Sequence, residues 1–466
     1  MPQRWRPSRP RHPRRRTGGH VGTRPLPPAH PSAPGYHGPM SSPDPTHTAD
    51  GNDALRVRIQ RLPDDHPLAA LTLTDLLPRP DDLFVWLGER ASFAGWGSAL
   101  VLTVEGRHAI RDAARAWDEV RAGAVVEAED MPADSPRFPV ALGSFGFAAA
   151  TPGMLVVPEV LVHDTPTGRV VATAVRGADP RRPLEALEEA TTQRALTPVE
   201  SARGLWTETG RMTQTQWMES VRRLIMRLKN GAASKVVMSR DMVVSAARPV
   251  DERFLLARLH ELYPTTWTYA VGGLIGATPE MLASMSGTRV VSRVLAGTRG
   301  HGEGQELLES MKDRTEHLLA VESVARALGP IAETLDVPDT PRVLDLPNVS
   351  HLATDVTASV GAANVLDVVA ALHPTAAVCG TPTTLAFNLL ESFESTRRGR
   401  YSGPVGWVDA CGEGEFGIAL RCGQLSEDRR SVRVFAGGGI MPDSVPEVEL
   451  AETRQKMAPV LEALGL

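Results

Sequence analysis

The chain is predicted to fold as an α+β protein, with large, mainly antiparallel sheets flanked by helices. Three observations carry that expectation. Short apolar runs with strand-like alternation recur along most of the 466 residues. Many of them follow one another with no helix between, and no internal strand–helix repeat is present, which argues against a doubly wound sheet.

Taken in order, residues 1–53 hold almost nothing apolar to bury. They are rich in Pro, Arg, Gly and His and are expected to be a disordered basic tail and linker, with Met40 as an alternative start. Arg14, Arg15 and Arg16 precede no apolar stretch, so no secretory signal is expected. Order is predicted to begin at the alternating Leu55-Arg56-Val57-Arg58-Ile59. An N-terminal half, 54–205, contains predicted strands over 99–104, 140–147 and 155–162 and helices over 110–121 and 183–196. A linker over 198–205 leads to a catalytic half, 206–466, and the two halves make one catalytic domain over 54–466. In the second half Thr213 is the predicted N-cap of a helix reaching residue 231, with Trp217, Val221, Leu224, Ile225 and Leu228 on its apolar face. Strands are expected over 235–244 and 267–271, helices over 251–262 and 304–328, and a last helix over 446–464.

Apolar content of 42% and charge of 23% suit a globular protein with ample core. No apolar run approaches the ~18–20 residues that span a bilayer, so no membrane association is expected. The three cysteines, Cys379, Cys411 and Cys422, lack close metal-ligand spacing and read as reduced thiols of a cytoplasmic protein. Eight of the 50 basic residues lie within 1–40, where there is no acid. That leaves 42 basic against 55 acidic residues, a balance of −13, which argues against a nucleic-acid partner.

The polar chemistry concentrates toward the C-terminus. Asp313 and Glu316 stand three apart, as do Glu449 and Glu452. On a helix such pairs share a face. Each pair is either a solvated face or, with the other opposite, half of a hard-oxygen site suited to Mg²⁺. Arg421, in Ala419-Leu420-Arg421-Cys422, reads as part of an alternating strand, exposed or paired with an acid. Gly437-Gly438-Gly439 reads as a turn whose backbone N–H groups can approach an anion closely.

These residues stand among motifs such as His373-Pro374-Thr375-Ala376-Ala377-Val378-Cys379-Gly380-Thr381-Pro382 and Arg398-Gly399-Arg400-Tyr401-Ser402-Gly403-Pro404-Val405-Gly406-Trp407. In them the chain resembles the chorismate-binding enzymes, which include isochorismate, anthranilate, aminodeoxychorismate and salicylate synthases. The resemblance covers about 92–466, is densest from Ser234 onward, and implies the same α+β fold. It implies that Glu316 and Glu452 hold Mg²⁺, with Asp313 and Glu449 supporting them directly or through water. Arg421, Lys456 and the backbone of Gly437, Gly438 and Gly439 would bind the substrate's anionic groups. Glu280, in Gly276-Ala277-Thr278-Pro279-Glu280, matches a general acid, a role that requires burial to raise its pKa. Gly297 and Thr298, in Leu295-Ala296-Gly297-Thr298-Arg299, match a substrate-binding loop. His351 matches a histidine near the substrate ring, although alone it would read as a packed structural residue.

Lys235, in Ser234-Lys235-Val236-Val237-Met238-Ser239-Arg240, decides between branches of the family. Relatives that add ammonia carry a neutral residue there and those that add water carry lysine, which, desolvated, can act as a general base. Ala377 stands where salicylate-forming relatives tend to have threonine. The resemblance therefore implies an isochorismate synthase, an isomerase of the hydroxymutase type. Water would add at C2 of chorismate and the C4 hydroxyl would leave, with Lys235 as base and Glu280 as acid. Salicylate synthase is the nearest alternative, followed by an aminating synthase and a non-catalytic chorismate-binding protein. Chorismate is the expected substrate, and no amidotransferase subunit is required. The protein is expected to be a monomer, serving either menaquinone or siderophore synthesis.

Overall fold

The computed structural model describes residues 54–347 and 349–466, so the predicted basic tail and linker over 1–53 lie outside the described residues. Among the described residues two large sheets, of 13 and 10 strands, carry the fold. Their pairings are antiparallel apart from Leu55–Leu62 against Val125–Glu129, which is the expected α+β class. Both sheets draw strands from both halves of the chain. Leu83–Leu87 pairs with Trp267–Val271 in the larger sheet, and Ala141–Ser144 with Pro404–Val408 in the smaller.

The sheets share one apolar core. Phe93 of the larger sheet meets Trp407 of the smaller edge-on at 5.0 Å, and Trp86 donates its indole N–H to Glu415 across the same interface at 3.1 Å. The other face of the larger sheet is covered by helices Glu252–Leu262 and Pro446–Leu464, whose Leu256, Leu259, Val460 and Leu464 are buried together. Each such side chain contributes about 1.5–3 kcal/mol by leaving water.

Four times the chain leaves one sheet for the other at a short break, the first between Ser92–Trp96 and Leu100–Val104. The other three lie between Gly153–Val157 and Val160–Thr165, between Leu274–Thr278 and Met281–Ser286, and between Gly414–Ile418 and Cys422–Leu425. Pro158 and Pro279 sit at two of these corners, where the missing N–H cannot continue a ladder. The single strand expected over 155–162 is therefore two strands in different sheets.

Other expectations are corrected in the same physical terms. The helix expected over 304–328 is two, Gly304–Glu309 and Met311–Leu328, because Ser310 breaks the first and caps the second by accepting from the Asp313 N–H at 3.2 Å. Gly437, Gly438 and Gly439 are not a turn but the end of strand Ser431–Ile440, paired with Lys235–Ala246. The stretch 295–299 is not a loop but part of strand Arg289–Gly300, bulged at Gly297, where φ is +78°. Arg421 lies in no strand; it occupies the corner before Cys422–Leu425 with φ +47°. The helix expected from Thr213 is Gln214–Lys229, with Thr213 and Gln216 forming a reciprocal capping box.

Candidate active site

Two of the corners between sheets lie side by side, and they carry Glu280 and Arg421. The Ile418 N–H donates to Glu280 O at 3.0 Å, and the Ala277 N–H donates to Arg421 O at 3.2 Å, so each corner is pinned to the other strand pair. Both side chains enter a cleft at the seam between the sheets, whose empty space, open mouth included, is about 560 Å³. Its wall also includes Gly297, Thr298, Glu316, His351, Ala377 and Lys456.

Gly437 and Gly439 complete that wall, and the ladder explains how. Opposite them, the Ser239 and Val237 N–H groups turn away from the shared ladder, to Glu394 Oε2 at 2.7 Å and Cys379 O at 2.9 Å. In an antiparallel pair, facing residues turn their backbone groups the same way, both inward or both outward. The N–H and C=O groups of Gly437 and Gly439 therefore project from the free edge into the cleft, and Lys456 Nζ already takes Gly437 O at 3.3 Å. Gly438 faces the other way, toward the last helix, which is why it does not line the cleft.

The electrostatics of the cleft are polarised. Burial pushes the Glu280 carboxyl up to about 8, and the nearby Lys235, Arg421 and Lys456 only partly oppose this, so it is protonated at neutral pH. Arg421 Nη2 donates to His351 Nε2 at 3.0 Å, while His351 Nδ1 lies 3.1 Å from Thr298 Oγ1 and 3.3 Å from Gly297 O. Burial, then the charges of Arg421 and Lys456, hold His351 well below the usual histidine range, so the network is that of a neutral ring. Arg421 Nε is buried with no hydrogen-bond partner among the described residues, an unused donor beside the cleft. Arg421 and Lys456 together make the cleft a receptor for anions.

Lys235 lies just behind the wall, 1% exposed, with Nζ 2.9 Å from Glu316 Oε1. Among the described residues no three His, Cys, Asp or Glu side chains form a ready-made metal cage. Each candidate glutamate is instead held by a lysine. Lys235 takes Glu316, Lys456 takes Glu452, and Lys312 takes Glu449 at 3.3 Å. Asp313 is engaged by Arg299 at 3.2 Å and packs against Gly297. Burial raises the Glu449 carboxyl to about 7, reinforced by the Glu452 charge and opposed by Lys312. Burial also works against the charge on Glu316, but Lys235, with Lys456 and Lys312, holds its carboxyl below the usual range.

Two missing side chains make room for these carboxylates. A Cβ on Gly438 would lie 3.3 Å from Glu449 Oε2 and 3.7 Å from Glu452 Oε1, and one on Gly439 would lie 2.3 Å from Glu316 Oε1. Glu316, Glu449 and Glu452 thus flank one glycine stretch, and their oxygens are the donor type a small divalent cation takes, with each now engaged by a lysine. Gly439→Ala is expected to destabilise the protein by about 1–3 kcal/mol through overpacking, whereas Gly438→Ala should cost less than about 1 kcal/mol. Chemical denaturation of the two variants checks this contrast.

The structure brings Glu280, Gly297, Thr298, Glu316, His351, Ala377, Arg421, Gly437, Gly439 and Lys456 to one cleft, with Lys235, Gly438, Glu449 and Glu452 directly behind it. Sequence reasoning missed Lys312, which its place one turn before Glu316 on the same helix could have revealed. It also assigned no role to Tyr401 and Ser402, which line the cleft within a motif that was singled out.

Known proteins resemble this chain over much of its length. Isochorismate synthase DhbC of Bacillus subtilis (strain 168) is 37% identical over 263 residues, 52% of this chain and 66% of that protein. The salicylate biosynthesis isochorismate synthase of Pseudomonas aeruginosa is 30% identical over 416 residues, 82% of this chain and 84% of its own length. The structure of MenF, the menaquinone-specific isochorismate synthase from Escherichia coli, shares the fold with a TM-score of 0.71 at 23% identity, covering 88% of this chain and 95% of that one. The family model described as chorismate binding enzyme matches residues 51–465, and the chain belongs to that family.

Proposed function

We propose that this protein is an isochorismate synthase that interconverts chorismate and isochorismate. The observation that carries the reading is the pairing of a buried, neutral carboxyl with a buried lysine around one anion-receiving cleft. Glu280 holds a proton near neutral pH, and Lys235 stands on the Glu316 side of the same cleft. Arg421, Lys456 and the Gly437 and Gly439 amides receive the substrate's carboxylates and fix its ring. Gly297, Thr298 and His351 pack beside it, with Arg421 oriented by the neutral His351 ring.

Glu280 then donates its proton to the C4 hydroxyl, which leaves as water, and Lys235, in its uncharged form, withdraws one from the water that attacks C2. Acid and base exchange roles in the reverse direction, as an isomerisation requires. Glu316 and Glu452, supported by Glu449 and Asp313, would hold Mg²⁺. When bound, that ion would offset the charge of a substrate carboxylate. The protein acts without an amidotransferase subunit, as a monomer, in the cytoplasm.

The test is incubation of purified protein with chorismate and Mg²⁺, with and without EDTA and ammonium, the products being resolved by mass spectrometry. An isomer of unchanged mass that disappears with EDTA is the expected result. Salicylate with pyruvate, or an amino product that needs ammonium, would overturn the assignment. Glu452→Gln is expected to raise the Mg²⁺ concentration for half-maximal turnover about tenfold or more, and a magnesium titration reads that shift directly.

A further inference from the structure

On the opposite side of the last helix from the cleft lies a second recess, which shares no lining residue with the first. Strands Leu205–Thr209 and Lys235–Ala246, the start of helix Gln214–Lys229 and helix Pro446–Leu464 enclose about 790 Å³ there, open mouth included. Its wall holds Arg240, a guanidinium only 7% exposed. Arg240 Nε donates to Thr453 Oγ1 at 2.7 Å, a neutral partner.

A buried guanidinium is costly unless an anion faces it. Among the described residues Arg240 forms no hydrogen bond or ion pair with the acids of the wall, and Asp241 acts on it only at a distance. Asp241 accepts from the Arg211 N–H at 3.0 Å and has its other oxygen 3.7 Å from Arg433 Nε. Glu208 Oε1 accepts from Trp206 Nε1 and from Ser245 Oγ, each at 2.8 Å. A further positive charge also acts on Arg240. Arg454, on the same wall, donates to the neutral amide of Gln214 at 2.6 Å. Burial and then this like charge lower the Arg240 pKa, with Asp241 opposing them more weakly. Met212, Met457 and Leu461 make the rest of the recess apolar.

We propose that Arg240 and Arg454 form a second ligand site, separate from the cleft, that takes the carboxylate of a small acid whose apolar body rests on Met212, Met457 and Leu461. The two forks supply the anion contact, and the methionine wall selects an apolar carboxylate over an inorganic anion. Because Thr453 follows Glu452 on the same helix, the site adjoins the elements of the cleft without using any of its residues.

Calorimetric titration of the full-length protein with benzoate and, separately, with inorganic phosphate tests the assignment. Benzoate is expected to bind the wild type with a dissociation constant in the range of about 0.1–10 mM. Arg454→Gln, a surface change, should weaken benzoate about tenfold while leaving chorismate turnover unaltered. Arg240→Lys, which keeps the charge but loses the fork, should weaken it comparably. Benzoate binding that survives Arg454→Gln would place the ligand elsewhere, in the cleft included, and overturn the proposal. So would the absence of benzoate binding to the wild type. Phosphate binding as tightly as benzoate would overturn the selection of an apolar acid.

Discussion

Lys235→Ala should lower kcat for chorismate isomerisation by about 10²–10⁴-fold, the usual contribution of a positioned acid or base. The variant has a structural cost too. Lys235 is 1% exposed and pairs with Glu316 at 2.9 Å, so its loss strands a mostly buried carboxylate. Lys456 and Lys312 also act on Glu316, which limits the damage. A second variant separates the two effects. Lys235→Arg keeps a cation beside Glu316, yet a guanidinium does not give up its proton at working pH. It should restore thermal stability toward the wild type while remaining inactive. An Arg variant with near-normal turnover would refute the role of Lys235 as base.

Glu280→Gln should cost a comparable factor in kcat and, unlike most active-site changes, should stabilise the protein. The unfolded carboxyl ionises near its ordinary value of 4.5, and the native one near 8 because it is buried. Between those values the native state keeps a proton that the unfolded chain has released, so wild-type stability falls as pH rises through that window. Glutamine carries no such penalty. The stability gain of the variant should therefore be absent below about pH 4.5 and grow to about 3–5 kcal/mol above pH 8. Activity of the wild type should fall as pH rises past about 8, where Glu280 loses the proton it donates. Denaturation curves at pH 6 and 9 measure the first effect and pH–rate profiles the second. If both proteins show the same pH dependence of stability, Glu280 is ionised in the native cleft and is not the acid.

The features that were legible in the sequence are those with a local cause. Alternation marked Leu55–Leu62 and Trp267–Val271, and the capping residue Thr213 marked its helix. Helical spacing alone places Glu449, Glu452 and Lys456 along one face of Pro446–Leu464. The resemblance then supplied roles, but not the distances or environments that make them chemically workable. The errors have local causes as well. A triple glycine looks like a turn unless its partner strand is known, and Ala419-Leu420-Arg421-Cys422 alternates although Arg421 adopts the left-handed backbone of a corner.

Only the tertiary structure brought Lys235 to Glu316, 81 positions later in the chain, and Glu280 beside Arg421 at neighbouring corners between the two sheets. The same holds for protonation. Nothing near Glu280 in sequence distinguishes it from an ordinary carboxylate, and it is burial at the seam that raises its pKa. By itself, then, the sequence determined the strand and helix periods, the kinds of donor available and their spacing along each element. Side-chain direction follows from backbone period and needs no distant partner. Folding decided which groups face one another, which lose water and which keep a proton, because desolvation and Coulomb interaction depend on distance in space rather than along the chain.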